Sequence, residues 1–131
     1  MQINEVKEVI KAAVIQGGRL LLVREGKIWT LPSGMPQASD STDIQCLIRK
    51  FCSPTSHIAC LEYFKCFRRG TSLLSSQEVC DIVYLVEGEG FCPDDSAKGT
   101  MLAEDPLSLP LCSATRQVVS ALQQQGHLPQ N

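Results

Sequence analysis

Two apolar runs that meet at a glycine pair set the first constraint on this chain. Residues 6–16 and 19–25 are rich in β-branched residues and leucine, and Gly17-Gly18 lies between them. Two consecutive residues that accept positive φ are what a two-residue hairpin turn demands, so the chain is expected to begin with an antiparallel hairpin. Gly26-Lys27 marks a further turn. Ile28 to Leu31 reads as a short strand stopped by Pro32, which has no N–H to give to a central ladder.

The rest of the chain mixes both periodicities. Residues 35–41 are turn formers, and Thr42-x-x-Gln45 forms a capping box that starts a helix over 42–53. Ile44, Leu47, Ile48 and Phe51 fall on one face of that helix, with Asp43, Arg49 and Lys50 off the stripe and Pro54 ending it. Residues 57–68 and 77–87 read as long strands, and the Gly- and Ser-containing connection between them implies an antiparallel pair. Alternation in the first puts Phe64 and Phe67 on opposite faces. Residues 88–105 are rich in Gly, Pro and Asp and read as a loop or a lid. A closing helix is expected over 113–125, with a Ser113 cap, Val118, Val119 and Leu122 at helical spacing, and Gly126 as its stop. The expected fold class is α+β, a sandwich in which helices cover a mixed sheet. At 131 residues a single domain over 1–131 is the expectation.

Composition narrows the classes of function. A net charge of -2 with 20% charged residues gives no electrostatic case for a nucleic acid polymer. The apolar runs are far shorter than a membrane-spanning helix, and the N-terminus does not read as a basic signal peptide, so no membrane association and a cytoplasmic location are expected. The 7 cysteines have no C-x2-C spacing, which disfavours structural zinc. Cys46, Cys52, Cys60, Cys66 and Cys80 fall in expected elements and read as small buried apolar side chains. Cys92, in a loop, is the cysteine expected to meet a thiol reagent.

One segment carries a resemblance. Trp29-Thr-Leu-Pro-Ser-Gly34, followed by a loop and the 42–53 helix, resembles the Nudix box and its approach, and Gly18-Arg-Leu-Leu-Leu-Val-Arg24 is similar to the second strand of that family. The order of elements matches across nearly the whole chain. The resemblance implies a Nudix-like α/β/α sandwich with a mixed sheet and two main helices. In the family the box continues into an Arg-Glu-U-x-Glu-Glu run, U being aliphatic, whose glutamates hold divalent metal against a diphosphate.

Here the run departs from that pattern. Counting from Gly34 without a gap puts Asp40 at the first glutamate but Ile48 at the arginine position. One extra loop residue instead aligns Arg49 with the arginine, Cys46 with the small helix residue and Phe51 with the aliphatic one, and keeps the apolar stripe inward. The catalytic glutamates then correspond to Lys50, Ser53 and Pro54, and the closing glycine to Ser56. Magnesium takes oxygen ligands, and a helix face bearing Arg49 and Lys50 repels it while attracting phosphate. Trp29, Gly34, Arg49 and Lys50 are therefore the candidate substrate-binding residues. No catalytic residue or metal ligand is assigned.

Three readings follow. The first is a domain that binds a nucleotide or phosphorylated metabolite without turnover. The second is a protein-interaction module, including a homodimer with a vestigial cleft. The third is a divergent hydrolase of a nucleoside diphosphate derivative, which alone calls for magnesium, with ligands rebuilt from Asp40, Asp43, Glu62, Glu78, Asp81, Glu104 or Asp105. His57 and His127 are the only histidines and give little support to Cys-His hydrolase chemistry.

Overall fold

The computed structural model of the protein describes residues 6–34, 56–69, 78–90 and 99–129. Within these, β1 (Val6–Gln16) and β2 (Arg19–Glu25) form the expected hairpin, with Gln16 opposite Arg19. Gly17 at φ 60° and Gly18 at φ 76° make the turn, a conformation that a side chain at either position would strain. There follow β3 (Ile28–Thr30), β4 (Ser33–Gly34), β5 (His57–Arg69), β6 (Glu78–Glu89) and β7 (Thr100–Ala103), then a 3-10 turn at Pro106–Ser108 and the helix α1 (Ser113–Gln124).

The strands form one mixed sheet in the order β3-β2-β1-β6-β5, with β4 also on β1 and β7 on β2. β1 and β6 run parallel from Val6 opposite Glu78 to Ile15 opposite Glu87. β5 and β6 are antiparallel, as their connection implied. The α+β class with a mixed sheet is therefore the architecture found.

β1 is apolar on both faces because both are covered. Ala13, Ile15, Leu20, Leu22, Val83 and Leu85 face α1 and pack against its Val118, Val119 and Leu122. Ile10, Ala12, Val14, Leu21 and Val86 form a second buried cluster, with Ile82, Tyr84 and Leu102 against it. Two apolar faces on one strand mark the interior of a layered fold rather than a sheet open to water.

Several expectations change. Residues 88–105 are not wholly a loop or lid: β6 runs on to Glu89, and Thr100–Ala103 pairs with β2, Leu20 lying opposite Ala103. Four residues beside glycine are too short to show a period in the sequence. The alternation of β5 is broken by irregularities between Ile58 and Cys60 and between Tyr63 and Lys65. The second of these brings both Phe64 and Phe67 against the α1-side core, where strict alternation separates them. Cys66 is exposed and Cys60 half-buried, so of the cysteines expected in the core and described, only Cys80 is buried. Cys112, not Ser113, occupies the cap position of α1. The 42–53 helix, Cys46, Cys52 and Cys92 lie outside the described residues.

The C-terminus of α1 closes as expected. Gly126 at φ 82° lets its N–H donate to the Gln123 carbonyl at 3.1 Å, and the His127 N–H donates to the Leu122 carbonyl at 2.9 Å. This reciprocal pair satisfies end carbonyls of the helix and directs buried Leu128 back to the core.

Leu122, fully buried between α1 and the sheet, is expected to cost about 2–5 kcal/mol when replaced in Leu122→Ala. Gln124→Ala, on the exposed side of the same helix, is expected to change stability by less than about 0.5 kcal/mol. Urea unfolding of the two variants measures the contrast.

Candidate functional site

The approach to the box is anchored on the central strand. Leu31 is fully buried, and the Pro32 carbonyl accepts the Ala12 N–H of β1 at 3.0 Å. Ser33 and Gly34 then pair antiparallel with Lys11 and Ile10. Proline cannot donate, but its carbonyl still serves the ladder, so the Leu-Pro-Ser-Gly stretch is held by main chain and by one deep leucine.

Trp29 is half-buried and packs against the α1-side core. Its N–H donates to the Pro110 carbonyl at 2.8 Å, and the Arg24 guanidinium lies over its ring at 6.0 Å. Arg24 and Trp29 are direct partners across β2 and β3, so the strand register itself creates this cation–π contact. Trp29 and Gly34 thus both lie on the strands flanking the approach. Arg49 and Lys50 lie outside the described residues, as do Asp40 and Asp43.

Beside this approach the sheet buries an ion pair. The Lys11 ammonium is 3.3 Å from the Asp81 carboxylate, with side-chain exposures of 6% and 0%. Val9 is opposite Asp81 and Lys11 opposite Val83, so the two charges point to the same face from diagonal positions of the parallel pair. Removing two charges from water is costly, and a pair survives there only with close geometry.

The polar seam continues toward the start of α1. The Thr30 and Thr115 hydroxyls are 3.0 Å apart, and the Cys112 thiol lies 3.0 Å from Thr115 Oγ1 and donates to Thr30 Oγ1 at 3.7 Å. Burial pushes the Cys112 thiol up. Hydrogen bonding from Thr115 and Thr30, with the positive charge of Lys11 nearby, outweighs this and holds the thiol below its ordinary value. Partial burial, then the carboxylates of Glu62 and Glu87, push Cys60 up. Loss of water on the side facing the strand, then the neighbouring Cys80 thiol, push the largely exposed Cys66 up.

The remaining candidate carboxylates do not join this seam. Glu62 is exposed on β5, and Glu104 and Asp105 are exposed ahead of the 3-10 turn. Glu78 begins β6. Among the described residues no three His, Cys, Asp or Glu side chains gather as a metal site. His57 and His127 do come together, 70 positions apart, in a cavity of about 440 Å³ with Glu87 and Gly17. There His127 pairs with Glu87 at 3.5 Å and meets the Phe64 ring edge-on at 5.7 Å. The Cys112 thiol meets the Thr30 and Thr115 hydroxyls, and among the described residues neither histidine joins it as a Cys-His dyad.

No family model matches the chain, and no curated protein sequence matches it. Solved structures do. A MutT Nudix hydrolase from Burkholderia pseudomallei superposes with a TM-score of 0.64 at 18% identity, over 89% of this chain and 98% of its own. A Nudix hydrolase from Nitrosomonas europaea gives 0.66 at 13% identity, over 95% and 93%. The chain has the Nudix fold. A chain of the complex between the C-terminal domain of mouse MUTYH and human PCNA is similar to it as well, with a TM-score of 0.68 at 13% identity over 95% and 92%. The Nudix fold here therefore comes without close sequence similarity.

The sequence reading does not single out the seam residues Lys11, Thr30, Thr115 and Cys112, and it names Asp81 only among the carboxylates from which a magnesium site could be rebuilt. A signal was present: Lys11 interrupts the apolar run Val9 to Ile15, and Asp81 the run Val79 to Val86. Opposite charges interrupting two apolar strands point to a buried pair.

Asp81→Ala is expected to destabilise by about 3–5 kcal/mol, because it leaves the Lys11 ammonium buried alone, whereas Lys11→Met with Asp81→Leu recovers most of that loss. Denaturant unfolding of the two variants decides this. Cys112 is expected to react with iodoacetamide at lower pH than Cys60 or Cys66, and Thr115→Val to move its pH profile upward. Peptide-resolved alkylation across pH reads both, and a profile unmoved in Thr115→Val would refute the hydroxyl's role.

Proposed function

We propose that this Nudix-fold protein binds a nucleotide or another phosphorylated metabolite without the magnesium-dependent hydrolysis typical of the family it resembles. The observation that carries this reading is the charge of the box: Arg49, Lys50, Ser53 and Pro54 occupy positions where the resemblance puts an arginine and metal-holding glutamates. Cations there favour a phosphate and oppose magnesium. The surroundings support the same reading. Asp81 is engaged by Lys11, Glu62 stands exposed on β5 and Glu104 and Asp105 stand exposed together ahead of the 3-10 turn, and no three of the described carboxylates, histidines or cysteines gather, which argues against a rebuilt magnesium site among them. Gly34 and Trp29 lie on the strands leading into the box, where a base and a phosphate would meet a ring and a main chain.

A second reading has its own observation. On β5, at the edge of the described sheet, Ile58, Leu61 and Tyr63 are exposed, Tyr63 by 56%. Exposed aromatic and aliphatic side chains on an edge strand suit a protein partner or a second copy of this chain. The structural neighbour described as a complex of a MUTYH domain with PCNA supports such a use of the fold.

Calorimetry with ADP and with UDP, each in magnesium and in EDTA, is expected to give the same affinity in both buffers and no phosphate release. Arg49→Gln with Lys50→Gln is expected to weaken binding by about tenfold, the loss of roughly one charge-assisted hydrogen bond. Magnesium-dependent turnover abolished by Asp40→Asn with Glu62→Gln would replace this reading with the divergent hydrolase.

A further inference from the structure

A groove of about 500 Å³ runs between β5 and α1, on the helix-covered face of the sheet. α1 is seated over the centre of that sheet by Val118, Val119 and Leu122, all fully buried. Its polar stripe of Ser113, Gln117 and Ser120 therefore turns toward β5, where Lys65 and Phe67 complete the wall. Lys65 and Arg116 both line the groove, and among the described residues no acidic side chain does. In a chain of net charge -2, two cations in one concavity without a carboxylate concentrate positive charge.

The placement of Arg116 is unfavourable for the helix itself. It lies in the first turn of α1, where the helix dipole presents its positive end, and that turn holds no acidic residue. Stability alone favours the reverse arrangement, with acids first and cations last. A local choice that opposes the fold's own stability marks a position held for another use. Arg116 reaches the Leu109 carbonyl only at 3.4 Å, and Lys65 sits over the Phe67 ring at 5.6 Å, so among the described residues neither cation is neutralised.

We propose that this groove is a binding site for a phosphorylated small molecule. Lys65 and Arg116 take the phosphate, the Ser113 and Ser120 hydroxyls and the Gln117 amide supply further hydrogen bonds, and Phe67 offers an aromatic wall to the rest of the ligand. The size of the groove falls in the range of roughly 300–1,000 Å³ usual for small-molecule sites. The described residues of the site belong to β5 and α1 and none to the box segment, so the proposal stands whether or not Arg49 and Lys50 bind anything.

The test is amide chemical-shift mapping of the full chain titrated with ADP and, separately, with inorganic pyrophosphate. Perturbation of amides at 65–67 and 113–120 by both probes is expected, weakened about tenfold or more in Lys65→Gln with Arg116→Gln and retained in Arg49→Gln with Lys50→Gln. Both substituted side chains are exposed, and retained thermal unfolding of the double variant confirms that it is folded. Unperturbed amides in the wild-type groove, or equal binding by the Lys65 and Arg116 double variant, would overturn the proposal. Displacement of ADP from these amides by an equal concentration of hexaglutamate peptide would also overturn it, in favour of an acidic segment.

Discussion

The parallel pairing of β1 with β6 is the constraint from which the other features descend. Parallel neighbours cannot be joined by a tight turn, so the chain must leave β1, build the hairpin and return through a long connection before β6 can be laid down. That requirement gives β1, like its neighbours β2 and β6, a partner on each side and a cluster on each face. It also explains why β1 carries almost no polar side chain along its middle: Ala12, Ala13 and Val14 are wholly buried. The one charge in that stretch, Lys11, is tolerated because the same pairing supplies Asp81 at a diagonal.

This central pair organises the approach to the box as well. Pro32 bonds to Ala12, Ser33 pairs with Lys11, and Gly34 pairs with Ile10, so the segment that carries the family resemblance is read directly onto the most buried strand. On the proposed reading, in which this approach is kept beside a box without its acids, its retention has a physical basis. The approach is held by the core, and losing it would damage the fold, whereas acids on a helix face that binds metal serve only the metal. Scaffold and chemistry can therefore diverge independently.

How far the sequence could be read follows from how local each signal was. The hairpin was legible because two adjacent glycines leave few alternatives, and the end of α1 because Gly126 does the same work. The mixed sheet and the closing helix were legible from runs long enough to show a period. β7 was not, since Thr100–Ala103 shows no period and acquires its structure from β2. The two phenylalanines of β5 share a face only through a bulge, and a bulge leaves no mark on an alternating pattern. The seam of Thr30, Thr115 and Cys112 joins positions up to 85 apart, and hydroxyls and thiols are common in every environment. Of the site residues, Trp29 and Gly34 were legible as part of a contiguous motif, while Lys65 and Arg116 meet only in three dimensions.

The two proposed sites share one electrostatic logic on opposite terms. At the proposed box, the sequence has cations where the resemblance puts acids. In the groove, a cation stands in the first turn of a helix whose dipole disfavours it, and the reading rests on what has been placed there at a cost to stability. Both favour an anion, yet the reasons are independent, since one is a departure from a pattern and the other a departure from helix energetics. A protein whose overall charge is slightly negative has no general reason to place cations together in either stretch. Local positive charge in an acidic chain is therefore better evidence for a small anionic ligand than it would be in a basic one, where long-range attraction to polymers would account for it.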